Sequence, residues 1–535
     1  MNGFGAGHWD EDEQQHLQQT IQQFVRVQSV TGGQAEWDMA RLVLDRLRQA
    51  ECHASGSLTV EPFLTDDGTQ MGACALYRRP GCSRTVVLVA HTDVVGVEDY
   101  GAYQKDAFDV VQFTERVRRD IVLPEDARVD VDRGAWWFGR GVMDMKAGLA
   151  MNLILFEKAC RQGIGGNLVF LAVPDEENHS RGMLAATKVL HRLKTENELD
   201  YVLCLNAEPS FVTSGETSGA HIYSGSFGKL LLGALAVGVP GHVGLPFSGI
   251  SSVQMLTHLV QTLEANPDLS ERTDDGRLVP LTCLWMRDLQ ETYSVQSPHL
   301  AAAYFHVPFL QRSPSAVLSG IRATCKEAMF SLHEWTVGRA RTAGVAEPAS
   351  SREIPVLWLS EILRDRACSP PLTVRGNDLL EATLDAVKAV AVSRQATVQA
   401  CVILFLAPPV YPAVNASDSP QLSRWIRATQ AVAQTQFGVK LEHKTGFPGL
   451  SDLSYTGYGL SSDWAFIASE MPAWGAGYSL PLQAMGELSI PVCNLGPFGK
   501  DAHQWTERLE LDYSTRVLPQ LSMTMILEAL STKST

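Results

Sequence analysis

The sequence predicts an α/β protein that has a mostly parallel central sheet flanked by helices, with an α+β domain inserted into it. Three short apolar runs, at residues 85–90, 168–173 and 201–205, predict strands that are buried on both faces. A helical pattern at 146–161 lies between the first two runs, and strands that alternate with helices are typical of a parallel sheet. Such sheets bind ligands at the carboxyl ends of their strands.

Helices are predicted on either side of these runs. Residues 12–29 and 36–50 place their apolar side chains at helical spacing, and so do residues 420–436 and 513–531. These segments are expected to cover the faces of the sheet.

The pattern of the sequence changes after residue 225. Strand-like and helical runs then follow in a mixed order, which predicts a separate α+β unit, and the stretch 340–380 is the least regular. We predict a catalytic domain formed by 1–225 and 417–535, with an inserted domain at 226–416. The runs in the insertion are strands at 229–239, 280–287, 300–307 and 398–405, and helices at 247–264 and 314–333.

The length, the net charge and the cysteine content of the chain disfavour several classes of protein. A chain of 535 residues is too long for one ordinary core. The net charge of −15 disfavours nucleic acid and anionic membranes as partners. No apolar run approaches the roughly 18 residues that span a bilayer, and no secretory signal pattern opens the chain. The ten cysteines are scattered without a CxxC pair, which favours reduced thiols in the cytoplasm.

The first candidate site residues follow the first apolar run. His91 stands at the end of the predicted strand, where its side chain would point into the ligand-binding crevice. Asp93 lies two residues further on, on the same side, and its carboxylate would accept the other imidazole N–H of a metal-bound histidine. A histidine that is merely hydrogen-bonded at a strand end explains this tripeptide equally well.

The second candidate is Asp144, in the segment WFGRGVMDMK at 137–146. Two glycines around Arg140 predict a tight turn, and Asp144 comes just before the predicted helix. The two oxygens of its carboxylate can bridge two cations. The alternative is that Asp144 only caps the helix, a common use of aspartate.

Acidic residues also follow the other two apolar runs. Asp175, Glu176 and Glu177 are consecutive, and such acids repel one another beside a buried sheet edge. They form either a solvated loop or a site in which one carboxylate binds metal and its neighbour moves a proton. Glu208, in the segment NAEP at 206–209, is the acid that follows the third run.

The last candidate is His503, in a loop rich in glycine and proline at 496–507. A single histidine in a loop is usually a surface residue, and His503 gains its weight as a ligand from the family resemblance that follows. Two histidines and three carboxylates form a nitrogen and oxygen donor set that suits zinc, cobalt or manganese. Two such ions, about 3.5–4 Å apart, would share one carboxylate.

Five segments in this order resemble the co-catalytic zinc peptidase family that includes aminoacylases, carboxypeptidase G, acetylornithine deacetylase and succinyl-diaminopimelate desuccinylase. Each motif alone is weak, and five in order are specific. The segments are HTD at 91–93, GRGVMDMKAG at 139–148, DEE at 175–177, NAEP at 206–209 and GPFGKDAH at 496–503.

Within that family the chain resembles the RocB-type arginine-utilisation branch, whose members are longer than usual. The inserted lid domain is correspondingly large. The segments that carry this resemblance are EDYG at 98–101, WWFGRGVMDMK at 136–146, FPGLSDLSY at 447–455 and IPVCNLGPFGKDAHQWTER at 490–508.

The resemblance implies two divalent ions, with zinc as the first expectation and cobalt or manganese as alternatives. His91 and Glu208 would hold one ion, Glu177 and His503 the other, and Asp144 would bridge them. It also implies a cis peptide after Asp144.

The resemblance further assigns roles in catalysis. Glu176 would be the general acid and base that activates a metal-bridging water, and Asp93 would orient His91. His242, in the segment VPGHVG at 239–244 of the lid domain, would stabilise the oxyanion, often in a partner subunit.

These assignments predict a metal-dependent hydrolase that cleaves the amide bond of an N-acyl amino acid or a short peptide. A dipeptidase or carboxypeptidase of the same family, and a non-catalytic member with a binding role, are the alternatives. A homodimer through the lid domain is the expected assembly, unless the enlarged lid alters or blocks it. The sequence does not place the arginine that binds a substrate carboxylate, for which Arg322 and Arg375 are two of several candidates.

Overall fold

The computed structural model describes residues 9–211, 219–345, 353–364, 378–393, 399–457 and 463–531. The chain divides into two compact units. Unit 1 comprises the described residues of Met1–Ser226, Val414–Gly459 and Pro481–Thr535, and unit 2 those of Phe227–Ala413 and Leu460–Leu480.

Some of the helices begin at a capping side chain or a proline. Asp10 accepts the amide of Glu13 at the start of the first helix, and Ser313 caps a helix whose first residue is Pro314. The helices are α1 (Glu11–Arg26), α2 (Ala35–Gln49), α3 (Val110–Arg119), α4 (Glu125–Arg133), α5 (Ala147–Gln162), α6 (Arg181–Asn197), α7 (Ser252–Leu263), α8 (Pro314–Thr342), α9 (Leu359–Leu363), α10 (Leu379–Ser393), α11 (Pro420–Phe437), α12 (Asp463–Glu470), α13 (Leu482–Leu488) and α14 (Leu518–Ser531).

The strands include all those that the apolar runs predict. They are β1 (Ser57–Leu64), β2 (Met71–Arg78), β3 (Arg84–His91), β4 (Trp136–Phe138), β5 (Asn167–Val173), β6 (Asp200–Asn206), β7 (Ser210–Phe211), β8 (His221–Tyr223), β9 (Gly225–Ser226), β10 (Gly228–Val237), β11 (Glu271–Arg272), β12 (Leu278–Val279), β13 (Thr282–Asp288), β14 (Leu300–Phe309), β15 (Val356–Trp358), β16 (Cys401–Tyr411), β17 (Val414–Asn415), β18 (Glu442–Lys444), β19 (Val492–Asn494), β20 (Phe498–Lys500) and β21 (Arg508–Glu510).

Unit 1 is built on an eight-stranded sheet with the order β1-β2-β5-β3-β6-β19-β8-β18. Strands β5, β3, β6 and β19 are parallel, so their carboxyl ends meet at one edge. The antiparallel strands β1 and β2, which no apolar run predicts, extend the sheet beyond β5. The predicted α/β class is confirmed, and the parallel edge is where the candidate residues converge.

Unit 2 contains a five-stranded sheet with the order β13-β14-β10-β16-β15. Its first four strands are antiparallel, and β15 pairs with β16 in the parallel direction. Helices α9 and α10 pack their apolar side chains on this sheet. The predicted helix at 247–264 begins later, at Ser252. The irregular stretch 340–380 contains the end of α8, β15, α9 and the start of α10, while 346–352 and 365–377 lie outside the described residues.

The unit boundaries differ from the predicted domain boundaries in one segment. Residues 463–480 lie in the predicted second catalytic segment, yet they pack with unit 2. Glu470 accepts the amide of Ser360 at 2.9 Å, and the hydroxyl of Tyr478 accepts the amide of Val410 at 2.9 Å. These buried bonds to unit 2 leave no trace in the hydrophobic periodicity, which is why the sequence did not reveal them.

Across the described ranges, none of the helices combines the length and the apolar character needed to cross a membrane.

Candidate active site

His91 occupies the carboxyl end of β3 and is fully buried. Its Nδ1 donates a hydrogen bond to the backbone carbonyl oxygen of Asp93 at 3.0 Å. The lone pair that can bind a cation is therefore on Nε2. That Nε2 lies 3.1 Å from Oδ1 of Asp144 and 3.8 Å from Oε2 of Glu208. The strand end therefore aims one imidazole nitrogen at two carboxylates.

Asp144 lies between a glycine turn and the first residue of α5. Gly141 has a φ of +73°, and a Cβ on it would stand 2.5 Å from Cγ1 of Val94, so only glycine fits this turn. Helix α5 begins at Ala147 with no side-chain cap, which excludes the helix-cap interpretation of Asp144. The Asp144–Met145 peptide is cis, as the resemblance implies.

The carboxylate of Asp144 faces an imidazole on each side. Oδ1 lies 3.1 Å from Nε2 of His91, and Oδ2 lies 3.3 Å from Nε2 of His503. Although burial opposes it, the two imidazoles hold the pKa of Asp144 well below its usual range. One carboxylate with its two oxygens turned to different nitrogen donors has the geometry of a bridging ligand.

The backbone before Asp144 is held by a buried ion pair that the sequence did not reveal. Oε1 of Glu507 accepts the amides of Met143 at 3.2 Å and Asp144 at 3.4 Å. Its Oε2 lies 2.8 Å from Arg140, whose other terminal nitrogen donates to Asp99 at 2.9 Å. Three segments of the RocB-like pattern thus meet at one arginine.

Glu208 follows β6 and is clamped through its backbone. Its amide donates to Oδ1 of Asn494, and its carbonyl accepts from Nδ2 of Asn494, both at 2.9 Å. Burial, together with the charge of Asp144, raises the pKa of Glu208 well above its usual range, although His91 opposes this. Oε1 of Glu208 has no hydrogen-bond partner among the residues that the structure describes. An orphaned, buried carboxylate oxygen is costly unless a cation completes it.

Glu177 and His503 lie on the other side of Asp144. Nε2 of His503 lies 3.1 Å from the carboxylate of Glu177, and 49% of the histidine side chain is exposed. His503 has a φ of +64°, a left-handed conformation that is uncommon outside glycine. The fully buried Arg508 fixes this loop through ion pairs with Asp501 and with Asp130, the latter at 2.8 Å.

Glu176 lies beside these carboxylates and is buried. Its ligand oxygen lies within 4.8 Å of donor atoms of both His91 and Glu208, while Asp144, Glu177 and His91 form a second such group. Burial, together with the charge of Glu208, raises the pKa of Glu176 well above its usual range. A carboxyl whose pKa is raised binds a proton more readily, which suits it to proton transfer.

Asp93 makes contacts different from those that the sequence predicts. Its carboxylate Oδ1 is 3.6 Å from Nδ1 of His91, and the imidazole N–H goes to the backbone carbonyl instead. The two carboxylate oxygens accept the amides of Glu176 and Glu177, both at 3.1 Å. The side chain therefore acts on the loop that carries the acids, since its own backbone already satisfies His91.

Of the residues predicted in the inserted domain, His242 and Arg322 lie in unit 2. His242 is exposed, and its Nδ1 accepts the amide of Gly244 at 3.1 Å. Arg322 pairs with Glu361 at 2.6 Å and also donates to the carbonyl of Val356, a structural role within unit 2. Arg375 lies outside the described residues.

A further buried acid near the site was missed. Asp452 begins a short 3-10 helix, and burial raises its pKa to about 7. It interacts electrostatically with His91, and it raises the pKa values of both Glu176 and Glu208. Asp452 stands within the FPGLSDLSY segment, so the available signal was an acid inside an otherwise apolar and small-residue motif.

Comparisons with known proteins identify the family of the chain. A family model described as peptidase family M20/M25/M40 matches residues 87–471. Uncharacterized protein YqjN of Bacillus subtilis (strain 168) is 33% identical over 515 residues, which are 93% of each chain. Protein RocB of the same organism is 30% identical over 460 residues, 82% of this chain and 81% of that one, which confirms the RocB-like pattern.

The fold is also found among solved structures. The crystal structure of aminopeptidase PepT from Bacillus cereus ATCC 10987 matches with a TM-score of 0.54 and 12% identity, over 96% of this chain and 98% of that chain. At this identity the match shows the fold alone. The family model and the long relatives carry the assignment: the chain belongs to peptidase family M20/M25/M40 and is a metallohydrolase that acts on amide bonds.

Proposed function

We propose that this chain hydrolyses the amide bond of an N-acyl amino acid or a short peptide, with Glu176 as the general base and then the general acid. The observation that carries the proposal is the carboxylate of Asp144 between His91 and His503, which come from opposite ends of the chain. A cluster held together only for stability would not need two imidazoles aimed at one buried acid.

The donor set fits two divalent ions. His91 and Glu208 would hold one ion, Glu177 and His503 the other, and Asp144 both. The orphaned Oε1 of Glu208 supports this fit, because a buried carboxylate oxygen without a donor is completed by a cation. A set of imidazole and carboxylate donors without thiolate favours zinc, with cobalt or manganese as alternatives. When bound, the ions would polarise the substrate carbonyl and lower the pKa of water.

The side chains of this protein then supply the proton transfers. Glu176 accepts a proton from the attacking water and passes it to the leaving nitrogen, a role for which its raised pKa suits it. His242 is proposed to stabilise the oxyanion. Since Nδ1 of His242 accepts the amide of Gly244, the neutral ring carries its proton on Nε2, which can donate to a substrate oxygen.

The substrate class is decided by a screen of the purified protein with added zinc, cobalt or manganese. N-acyl amino acids, acylated arginine among them, are compared with dipeptides and tripeptides. The arginine derivative is included because the RocB-type resemblance implies arginine utilisation. Turnover confined to dipeptides would replace the deacylase assignment with a dipeptidase, and turnover of neither class by the metal-loaded protein would contradict both.

The role of Glu176 is tested by Glu176→Gln, which keeps the shape of the side chain and removes its basicity. We expect kcat to fall by about 10²–10⁴-fold while both metals stay bound, because Glu176 is proposed to move protons and is not assigned as a ligand. The measurements are kcat and metal content by elemental analysis. Glu196→Gln, an exposed acid on α6, is the control and should keep the parent kcat. A Glu176→Gln variant with the parent rate would contradict the mechanism.

A further inference from the structure

Three consecutive amides of the loop that carries the acids donate to buried carboxylates from other parts of unit 1. The amide of Asp175 donates to Oε1 of Glu36 at 3.2 Å. The amides of Glu176 and Glu177 donate to Oδ1 and Oδ2 of Asp93, both at 3.1 Å. The backbone on which the base and its neighbouring acid stand is thus held at every residue.

Glu36 is itself fixed in place. It lies on α2, is fully buried and precedes Asp175 by 139 residues. Its second oxygen, Oε2, accepts the amide of Gly32 at 2.7 Å and the side-chain amide of Gln70 at 2.9 Å. Since both oxygens of Glu36 are engaged, its carboxylate cannot turn without breaking three hydrogen bonds.

The two carboxylates are also fixed relative to each other. The amide of Val94 donates to the carbonyl of Ser29, and the amide of Thr31 donates to the carbonyl of Val94, both at 3.0 Å. The hydroxyl of Thr31 donates to Oδ2 of Asp93 at 2.9 Å. The segment that leads into α2 is therefore joined to the segment after β3.

This arrangement carries an energetic cost that packing alone does not explain. Burial raises the pKa of Glu36 to about 7. Within the described part of the chain, neither Glu36 nor Asp93 has an ion pair with lysine or arginine. The carboxylate of Asp175, by contrast, turns away to Arg181 at 2.8 Å. An apolar residue at position 36 would fill the space without the desolvation cost of a carboxyl.

We propose that Glu36 is a positioning residue for the reaction, which through the amide of Asp175 fixes the backbone that carries Glu176 and Glu177. Asp93 holds the next two amides, so the two acids together form a cradle for the loop. The catalytic part of this inference rests on the proposed function of Glu176. Small displacements of a base are costly, since proton transfer requires a short and directed hydrogen bond.

The backbone part is tested on the metal-free protein, so that turnover plays no role. Hydrogen exchange is measured by mass spectrometry on peptides that cover 174–178, in the parent, Glu36→Ala and Glu36→Gln. We expect exchange to be about tenfold faster or more in Glu36→Ala, because the amide of Asp175 loses its buried acceptor and the loop opens more often. Glu36→Gln keeps a carbonyl oxygen that can accept from Asp175, and should restore most of the protection.

Glu157→Ala is the matched control. Glu157 lies on α5 and pairs with Arg46 of α2 at 2.9 Å, so its loss removes a part-buried acid that contacts the same helix but not the loop. Its exchange at 174–178 should equal that of the parent. If peptides 174–178 exchange at the same rate in Glu36→Ala and in the parent, the proposal is overturned. It is also overturned if the peptides of β6 and β14 speed up in Glu36→Ala as much as peptides 174–178 do, since that would mean general unfolding.

The catalytic part is tested on the metal-loaded enzyme. We expect kcat of Glu36→Ala to fall about 10–100-fold with KM and metal content near the parent values, and Glu36→Gln to recover most of the rate. A kcat at the parent level, or a loss that follows loss of metal, would overturn the catalytic role. If the parent itself turns over no amide, the proposed function fails, while the exchange experiment still decides whether Glu36 holds the loop.

Discussion

The two units bury acidic side chains in different ways. In unit 2, the buried Glu470 accepts both the amide, at 2.9 Å, and the hydroxyl of Ser360. The buried Glu271 pairs with Arg312 at 2.7 Å. Each of these acids of unit 2 is matched by donors that the fold itself provides.

Unit 1 also buries acids that arginines match, such as Glu507 and Asp130, but at the carboxyl edge of its sheet it buries acids in excess of such donors. Two imidazoles face four carboxylates at the carboxyl edge of the sheet, and Asp452 adds a fifth close by. Burial raises the pKa of Glu176 and of Glu208 well above the usual range, because the surroundings stabilise the charged carboxylates less well than water does. The four carboxylates are those of Asp144, Glu176, Glu177 and Glu208.

This difference between the two units distinguishes buried acids that serve the structure from buried acids that serve the function. A buried acid that the fold satisfies contributes to stability or specificity and needs nothing from solution. A cluster with too many carboxylates is stable as charged groups only when cations from solution complete it. Removing the metals should therefore change the stability and the hydrogen exchange of unit 1 and leave those of unit 2 unchanged.

Metal removal should give the largest effect. Treatment with a chelator is expected to lower the amide hydrolase activity at least about 100-fold and to speed hydrogen exchange in the loops around 91–94, 141–146 and 174–178, because the carboxylates lose their counter-charge. A ligand at 100 times its Kd contributes about 2.7 kcal/mol of stability, which the protein would lose. Strands β10 and β14 of unit 2 should exchange as before. Full activity after chelation, verified by metal analysis, would contradict the two-metal assignment.

The pH dependence of the metal-free protein should differ in sign between the units. Burial and the charge of Asp93 raise the pKa of Glu36 from 4.5 to about 7, so unit 1 loses about 3 kcal/mol of unfolding free energy as pH rises through that range. In unit 2, burial and the charge of Lys229 lower the pKa of His306 from 6.5 to about 4. Unit 2 should therefore gain about 3 kcal/mol as pH rises from 4 to 6.5.

The comparison is made by hydrogen exchange of β5 in unit 1 and β14 in unit 2 between pH 4 and 7, corrected for the intrinsic exchange rate. Glu36→Gln should flatten the fall in unit 1, and His306→Gln should flatten the rise in unit 2. Metal-loaded protein should show the opposite trend in unit 1, since ions bind deprotonated ligands more tightly as pH rises. An unchanged pH dependence of unit 1 in Glu36→Gln would contradict the burial cost assigned to that acid.

The sequence predicts the strand-end residues well because two independent signals coincide there. Continuous apolar runs indicate parallel strands, and the residues that follow them must lie at the shared edge of the sheet. His91 ends β3 in this way, and Glu177 and Glu208 follow β5 and β6. Asp144 was proposed from its position between a glycine turn and a helix together with its motif, whereas the placement of His503 beside the others was predicted mostly from the resemblance.

The supporting residues could not be predicted because their partners are distant in sequence. Glu36 contacts an amide 139 residues away, and Glu507 contacts one 363 residues away. Most of these bonds are to backbone amides, which carry no residue identity and so leave no pattern. Asp93 was predicted to orient His91 through its carboxylate, and the structure shows that its own carbonyl does so. A two-residue spacing fixes the side of the strand on which a group lies, but not which of its oxygens bonds.

The smallest expected effect comes from removing a side chain that orients the ligand Glu208, while Glu208 itself is unchanged. Asn494 clamps the amide and the carbonyl of Glu208, both at 2.9 Å, and is not one of the proposed metal ligands. We expect Asn494→Ala to weaken metal binding about 10–100-fold, since groups that orient a ligand contribute that much to affinity. The measurement is competition with a metallochromic chelator.

Lost stability must be separated from lost affinity in that variant, because Asn494→Ala also leaves two buried backbone groups of Glu208 unpaired. Glu470→Gln in unit 2 is the matched control, since it also weakens a buried acid-to-backbone contact, at Ser360. It should lower the unfolding free energy by about 1–3 kcal/mol with no change in metal affinity. If Asn494→Ala and Glu470→Gln weaken metal binding equally, then metal affinity depends only on the overall stability of the protein. The distinction between the structural acids of unit 2 and the metal-binding acids of unit 1 would then be wrong.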